Sequence, residues 1–231
     1  MFPKFIFLGE IVYLYPLLLG IAWGVGFISF LSLFSGKIKQ LNLLFFSLFI
    51  SSWCGAKIFF LLSSDLINTD NFLKSTSFWL GGGFVFYGGF IFGLLSLWLF
   101  STVTKQTMST FSPIVIPLGI GHGIGRVGCF LAGCCHGKVV SISSFVEYFP
   151  IQLVEAFSLF VLSFICFRRL KKNKEIFIFY ISSYAVLRFI LEAFRGDDIR
   201  GLYYGVSTSQ IISASLIAFS IGLYRKQQPV H

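Results

Sequence analysis

Charge is what this sequence has least of. Of its 231 residues only 12% are Asp, Glu, Lys or Arg, and nine are acidic. A water-soluble domain needs a polar surface. A chain that is 56% hydrophobic, with a mean hydropathy of +0.85, holds more apolar side chains than one core can bury. That excludes a soluble domain and indicates a polytopic all-α membrane protein, in which lipid solvates the excess. The 31 phenylalanines suit lipid-facing helix surfaces. No low-complexity tract and no long linker interrupts the chain, so residues 1–231 read as a single integral membrane domain. Neither an internal repeat nor a pair of corresponding broken helices is present, which argues against a transporter. No A-x-A cleavage site follows the first apolar run, which is too long for a signal-peptide core, so that run is expected to stay in the membrane.

Seven apolar segments approach the roughly 20 residues that span hydrocarbon. They lie at about 11–34, 41–62, 84–104, 111–133, 150–168, 176–193 and 206–224. Pro113, Pro117 and several glycines break the fourth, a pattern tolerated where protein or a wet cavity satisfies the backbone. The net charge of +9 lies mostly in short connections, the pattern of membrane orientation rather than of nucleic-acid binding. Ten cations (Lys37, Lys39, Lys105, Arg168, Arg169, Lys171, Lys172, Lys174, Arg225 and Lys226) fall on one side. Five (Lys4, Lys74, Lys138, Arg195 and Arg200) fall on the other, and Lys57, Arg126 and Arg188 lie within or at the ends of spans. The positive-inside rule then predicts an outer N-terminus and a cytoplasmic C-terminus.

A charge inside a span costs roughly 2.5–3.5 kcal/mol on insertion scales, so each is a candidate for function. On the fourth span, His122, Arg126, Cys129 and Gly133 share one helical face. Glycines at 119, 121, 123, 125 and 128 leave the rest of that helix bare, so neighbouring backbones or a lipid headgroup can approach. A guanidinium there suits a phosphate, gripped through two parallel hydrogen bonds. The bland account is a structural ion pair. On the sixth span Tyr184, Arg188 and Glu192 form a stripe in which Arg188 and Glu192 can pair, and a helix-locking salt bridge explains them equally well. Glu155, on the fifth span, can pair with Arg126. The third span opens with "GGGFVFYGGFIFG", residues 81–93, whose glycines packing alone can explain and whose Tyr87 phenol is a hydrogen-bond donor.

Cysteine is the other sparse resource, five in all. Cys54 and Cys166 read as small apolar residues. Cys129, Cys134, Cys135 and His136 lie close together, but no second C-x-x-C or H-x-x-H half accompanies them. No metal ion and no cofactor is therefore expected. Adjacent cysteines form only strained disulfides, which leaves packing, or a shaped polar patch, as their ordinary fate.

Six segments in order resemble the bacterial prolipoprotein diacylglyceryl transferase family over nearly the whole chain. They are "YPLLLGIAWGVGF" (15–27), "GGGFVFYGG" (81–89), "GHGIGRVGCFLAGCCHG" (121–137), "FPIQLVEA" (149–156), "YAVLRFILEAFRGDD" (184–198) and "GVSTSQIIS" (205–213). The third is similar to that family's G-R-x-G-N-F-x-N-x-E-x-x-G signature, and the fourth to its H-P-x-Q-L-Y-E-A. The resemblance implies a multi-pass enzyme of the bacterial inner membrane. Such an enzyme moves the diacylglyceryl group of phosphatidylglycerol to the lipobox cysteine thiol of a prolipoprotein and releases glycerol phosphate. It implies Arg126 and Arg188 at the phosphate. Glu155, Glu192, Tyr184, Gly88, Gly89, Gly128 and Gly137 carry over as substrate-binding positions.

The departures from the family concentrate at the chemistry. Tyr87 stands where the family has histidine, Cys129 and Ala132 replace its two asparagines, and Cys134 replaces its glutamate. His122 and His136 are substitute bases, and Cys129 or Cys134 is a candidate nucleophile. Two other readings stay open: a paralogue with a different acceptor, and a non-catalytic phospholipid-binding or transport protein.

Overall fold

The computed structural model describes residues 4–7, 10–63, 84–142, 145–171, 176–196, 202–203 and 206–227. Residues 81–83 of the glycine-rich turn, Asp197 and Asp198 lie outside the described residues, as do four cations counted for orientation (Lys74, Lys172, Lys174 and Arg200). Seven α-helices appear among those described: α1 (Leu14–Phe34), α2 (Leu41–Ser63), α3 (Phe86–Thr104), α4 (Val115–Ala132), α5 (Ile151–Leu170), α6 (Phe177–Glu192) and α7 (Thr208–Gln227). Three antiparallel hairpins accompany them: β1 (Lys4–Phe7) with β2 (Glu10–Tyr13), β3 (Val139–Ile142) with β4 (Phe145–Tyr148), and β5 (Leu202–Tyr203) with β6 (Val206–Ser207). The all-α expectation omits these hairpins. They are connecting segments, and pairing satisfies backbone groups that the helices do not reach.

Among the described residues, five helical segments are long and apolar enough to cross a membrane: 14–34, 41–62, 86–104, 108–132 and 151–170. The protein is thus a polytopic membrane protein built from helices. The sixth and seventh expected spans exist as α6 and α7 but fall short of that length. α6 has 16 residues, about 24 Å at 1.5 Å per residue, and the apolar part of α7 runs only from Ser209 to Gly222. Large side chains bare in the structure fit a lipid solvent: Val103, Leu62 and Phe157 are 75%, 71% and 69% exposed.

The broken fourth segment resolves into a 3₁₀ turn, Met108–Ile114, that contains Pro113 and leads into α4. Pro117 falls in the first turn of α4, where its missing N–H costs no helical bond. Gly133 ends α4 in the left-handed conformation (φ 77°) and returns its N–H to the Phe130 carbonyl at 3.1 Å. α7 opens with a reciprocal cap: the Gln210 N–H donates to Ser207 Oγ (3.1 Å) and the Ser207 N–H to Gln210 Oε1 (3.0 Å).

The chain divides into two compact units, residues 1–26 with 112–231 and residues 27–111. In the second, α2 packs on α3 through glycines that leave no room for a side chain. A Cβ on Gly88 meets the Gly55 carbonyl, and one on Gly89 lies 3.0 Å from the Ser52 carbonyl oxygen. Lys57 of α2 is 4% exposed, with Nζ 3.8 Å from the Phe84 ring centroid, where a cation–π contact offsets desolvation. In the first unit α5 lies between α4 and α6, and α7 packs on α6. Its core includes Val115, Ile151, Leu159, Cys166, Ile176, Ile181 and Ala185.

Candidate functional site

Glycine lets α4 approach its neighbours closely enough for polar side chains to meet inside the first unit. A Cβ on Gly119 meets Ser163 Oγ, and one on Gly123 lies 2.6 Å from the Phe160 ring. On another face, Gly121 and Gly128 admit Ala22, Tyr15 and Leu18 of α1, with nearest approaches of 3.3 and 3.4 Å. Gly128 thus faces α1, where a Cβ would make ordinary contact.

Glu155 of α5 is the centre of the arrangement. Its Oε2 lies 3.1 Å from Arg126 Nε and 3.4 Å from Arg188 Nη1, and Tyr184 donates its hydroxyl to Oε1 at 3.2 Å. Arg188 also pairs with Glu192 across one helical turn (2.9 Å) and donates to Ser209 Oγ (3.4 Å). Arg195, just past α6, completes the chain of charges at 3.6 Å from Glu192. His122 lies edge-to-face with Tyr184, ring centroids 5.4 Å apart. His122, Arg126, Tyr184, Arg188, Glu155 and Glu192 thus come together from three helices.

The charged groups form one chain, in which Arg126 and Arg188 meet Glu155, and Arg188 and Arg195 meet Glu192. The carboxylate side chains are 2% exposed, while those of Arg126 and Arg195 keep 13% and 12%. The negative groups are thus enclosed and the accessible side is cationic. Arg126 pairs through Nε, which leaves its two terminal nitrogens as the fork that matches a phosphate. A phosphate-bearing headgroup is the natural complement of a guanidinium presented in this way.

A backbone clasp closes the unit beyond the C-terminal end of α4. Gly137 donates to the Phe149 carbonyl (3.0 Å), Lys138 to that of Phe194 (2.8 Å), and Gly196 to that of His136 (3.2 Å). A Cβ on Gly137 falls 2.5 Å from the Phe149 oxygen, so this glycine is required by close approach. Gln152 of α5 donates to the Cys134 carbonyl at 2.7 Å and anchors the segment after α4. That segment brings Cys129, Cys134 and Cys135 together, with all three sulfurs within 4.8 Å of one another. His136 turns away: its Nδ1 is 3.1 Å from the Gly137 oxygen and its ring lies 4.1 Å from that of Tyr148.

Tyr87, Gly88 and Gly89 belong to the other unit. The two glycines form the contact of α3 with α2, and the Tyr87 hydroxyl is buried with no hydrogen-bond partner among the described residues. Sequence reasoning missed Arg195, Gln152 and Ser209. Arg195 stands three residues after Glu192 and Gln152 three before Glu155, so helical spacing was the available signal for both. Ser209 is brought in by the approach of α7, which has no local signal.

Comparison with known proteins accords with this geometry. The family model described as "Prolipoprotein diacylglyceryl transferase" matches residues 3–225. The chain is 32% identical to a protein of Clostridium tetani named phosphatidylglycerol–prolipoprotein diacylglyceryl transferase, covering 75% of this chain and 77% of that one. A second such protein, from Clostridium perfringens and numbered 2, is also 32% identical, covering 76% and 74%. One from Clostridium botulinum is 27% identical and covers 87% of both chains.

Proposed function

This chain belongs to the prolipoprotein diacylglyceryl transferase family, and from that premise we propose that it transfers the diacylglyceryl group of phosphatidylglycerol to a lipobox cysteine of a prolipoprotein. The observation that carries the reading is one buried carboxylate, Glu155, holding arginines from two different helices, Arg126 and Arg188, with Arg126 partly exposed. As the glycerol C–O bond breaks, negative charge grows on the departing phosphate. Arg126 and Arg188, already fixed by Glu155 and Glu192, stabilise it without reorganising in a water-poor site. The acceptor thiol supplies the electron pair for the new C–S bond, and glycerol phosphate leaves. His122, beside Tyr184, is the proposed base, and Tyr184, Glu155 and Glu192 orient the guanidinium groups. Tyr87, at the family's histidine position, is a proposed hydrogen-bond donor. The protein acts as a single multi-pass domain of the bacterial inner membrane. With α6 and α7 counted as short spans, it crosses the bilayer seven times with its N-terminus outside, and the signal peptide of the prolipoprotein reaches the site from the membrane.

The test is purified protein with phosphatidylglycerol and a lipobox peptide, beside a family enzyme with the usual histidine and asparagines. Thioether-linked diacylglyceryl peptide is expected. No product, with the control active, overturns the reading. Tyr87, Cys129 and Cys134 in place of the family's polar residues favour a second reading: a paralogue that uses the same donor for another acceptor, or a phospholipid-binding or transport protein without turnover. An unchanged lipoprotein profile with altered lipids in cells lacking the protein marks the paralogue. Donor binding without any product marks the non-catalytic protein.

A further inference from the structure

Three cysteines converge where the mechanism above gives them no task. Cys129 closes the last turn of α4, and Cys134 and Cys135 follow its glycine cap. Their sulfurs lie within 4.8 Å of one another, although the three come from a stretch of seven residues. What brings them together is a second left-handed residue. Cys135 has φ 59°, a conformation that costs a non-glycine residue about 1–2 kcal/mol and that the preceding Gly133 reaches freely. Backbone strain of this kind persists where surroundings over-determine it, and it clusters at working sites. The surroundings are on hand: Cys134 N–H is bonded to the Cys129 carbonyl (3.1 Å), Gln152 holds the Cys134 carbonyl, and the clasp at Gly137 fixes the chain beyond.

The geometry points to a soft-metal site at Cys129, Cys134 and Cys135, of the zinc class, whose open fourth position takes the thiol of the acceptor. Three sulfurs around a tetrahedral zinc ion stand about 3.8 Å apart at a metal–sulfur distance of about 2.3 Å, so the trio needs to close by at most about 1 Å. Sites with three protein ligands and an open position are the reactive kind. His136 is turned toward Tyr148 and the Gly137 carbonyl, and so does not fill that position here. Cys134 is exposed, which leaves the trio a side for entry. This inference rests on the transferase reading and gives its acceptor step a device in place of the family's missing polar residues.

The step balances as follows. The acceptor thiol binds the ion and, since a coordinated thiol is deprotonated, gives its proton to water in place of the His122 base proposed above. The sulfur electron pair forms a C–S bond to the glycerol carbon that bears the phosphate. The C–O bond breaks and its electron pair leaves on glycerol phosphate. Arg126 lies three residues before Cys129 on the same helix, an axial rise of about 4.5 Å, so the phosphate grip and the sulfur lie about one turn apart.

The experiment uses the full-length protein in detergent, reduced, stripped of metal and titrated with cobalt(II). One equivalent is expected to give thiolate-to-cobalt charge-transfer absorption and the visible bands of a tetrahedral site. C129S and C134S should each weaken binding at least tenfold. C135G removes a ligand and relieves the left-handed strain together, so it should abolish the absorption while leaving the metal-free protein at least as heat-stable. Adding a lipobox peptide should shift the cobalt spectrum, and the same peptide with Ser for Cys should not. Absence of a one-equivalent band, its survival in C135G, or equal response to both peptides overturns the inference. If metal-free protein makes product from phosphatidylglycerol at an undiminished rate, the ion has no part and the transferase reading stands alone. If both spectral responses appear and no product forms, the thiol-binding site stands and the transferase reading falls.

Discussion

Replacing Glu155 with glutamine removes the one negative charge that Arg126 and Arg188 share. The substituted amide keeps an oxygen to accept the Tyr184 hydroxyl, but its nitrogen then faces the two guanidinium groups that Oε2 of Glu155 serves at 3.1 and 3.4 Å. Arg188 retains Glu192; Arg126 has no other ion-pair partner among the described residues. Breaking a buried pair by removing one member costs about 3–5 kcal/mol, because it strands a charge. On the scale of 2–4 °C per kcal/mol for globular chains of this length, E155Q should lower the unfolding temperature by about 6–20 °C. R126Q should cost less, because Glu155 keeps Arg188. In E155Q/R126Q the stranded charge is gone as well, so part of the loss should return as a coupling of about 1–3 kcal/mol. Thermal unfolding of the four proteins in detergent, followed by circular dichroism, reads the cycle. Losses that add within about 0.5 kcal/mol refute the reasoning, since residues that share no interaction behave that way.

Other outcomes follow from the same contacts. G88A drives a Cβ into the Gly55 carbonyl and to 2.6 Å from the Phe59 Cβ, an overpacking worth about 1–3 kcal/mol, whereas G125A meets nothing within 4 Å and should gain up to about 1 kcal/mol of helix propensity. Unfolding temperatures that move in the same direction for both contradict this packing account. R126K keeps the charge and loses the fork. Losing one charge-assisted hydrogen bond of about 1.5–3 kcal/mol predicts a roughly 10- to 150-fold fall in transfer from phosphatidylglycerol, and full activity in R126K shows that no bidentate grip is used.

How much of this was legible in the sequence depends on the distance over which each contact acts. The Arg188–Glu192 pair follows from i,i+4 spacing, and the face shared by His122 and Arg126 follows from the same period. Hydropathy located every helix among the described residues to within a few residues. It missed the three hairpins, because apolar content reports solvent preference and says little about where backbone pairing begins. Gly88 and Gly89 read as substrate positions by resemblance; the fold gives them a packing duty on α2 that sequence left as one option of two.

Composition and the 3.6-residue period by themselves determined a helical membrane protein and the intrahelical neighbours of each charge. Only the tertiary structure decided that Glu155 is shared by arginines from two helices, that Ser209 of α7 joins them, and that three cysteines converge behind a strained turn. The physical reason lies in the solvent. In water an apolar stripe announces which face of a helix turns inward, but lipid is as apolar as the interior, so the sequence carries little record of which faces meet. The left-handed turn at Cys135 is equally silent, because it is imposed by the hydrogen bonds of the chain around it and not by the preference of cysteine itself.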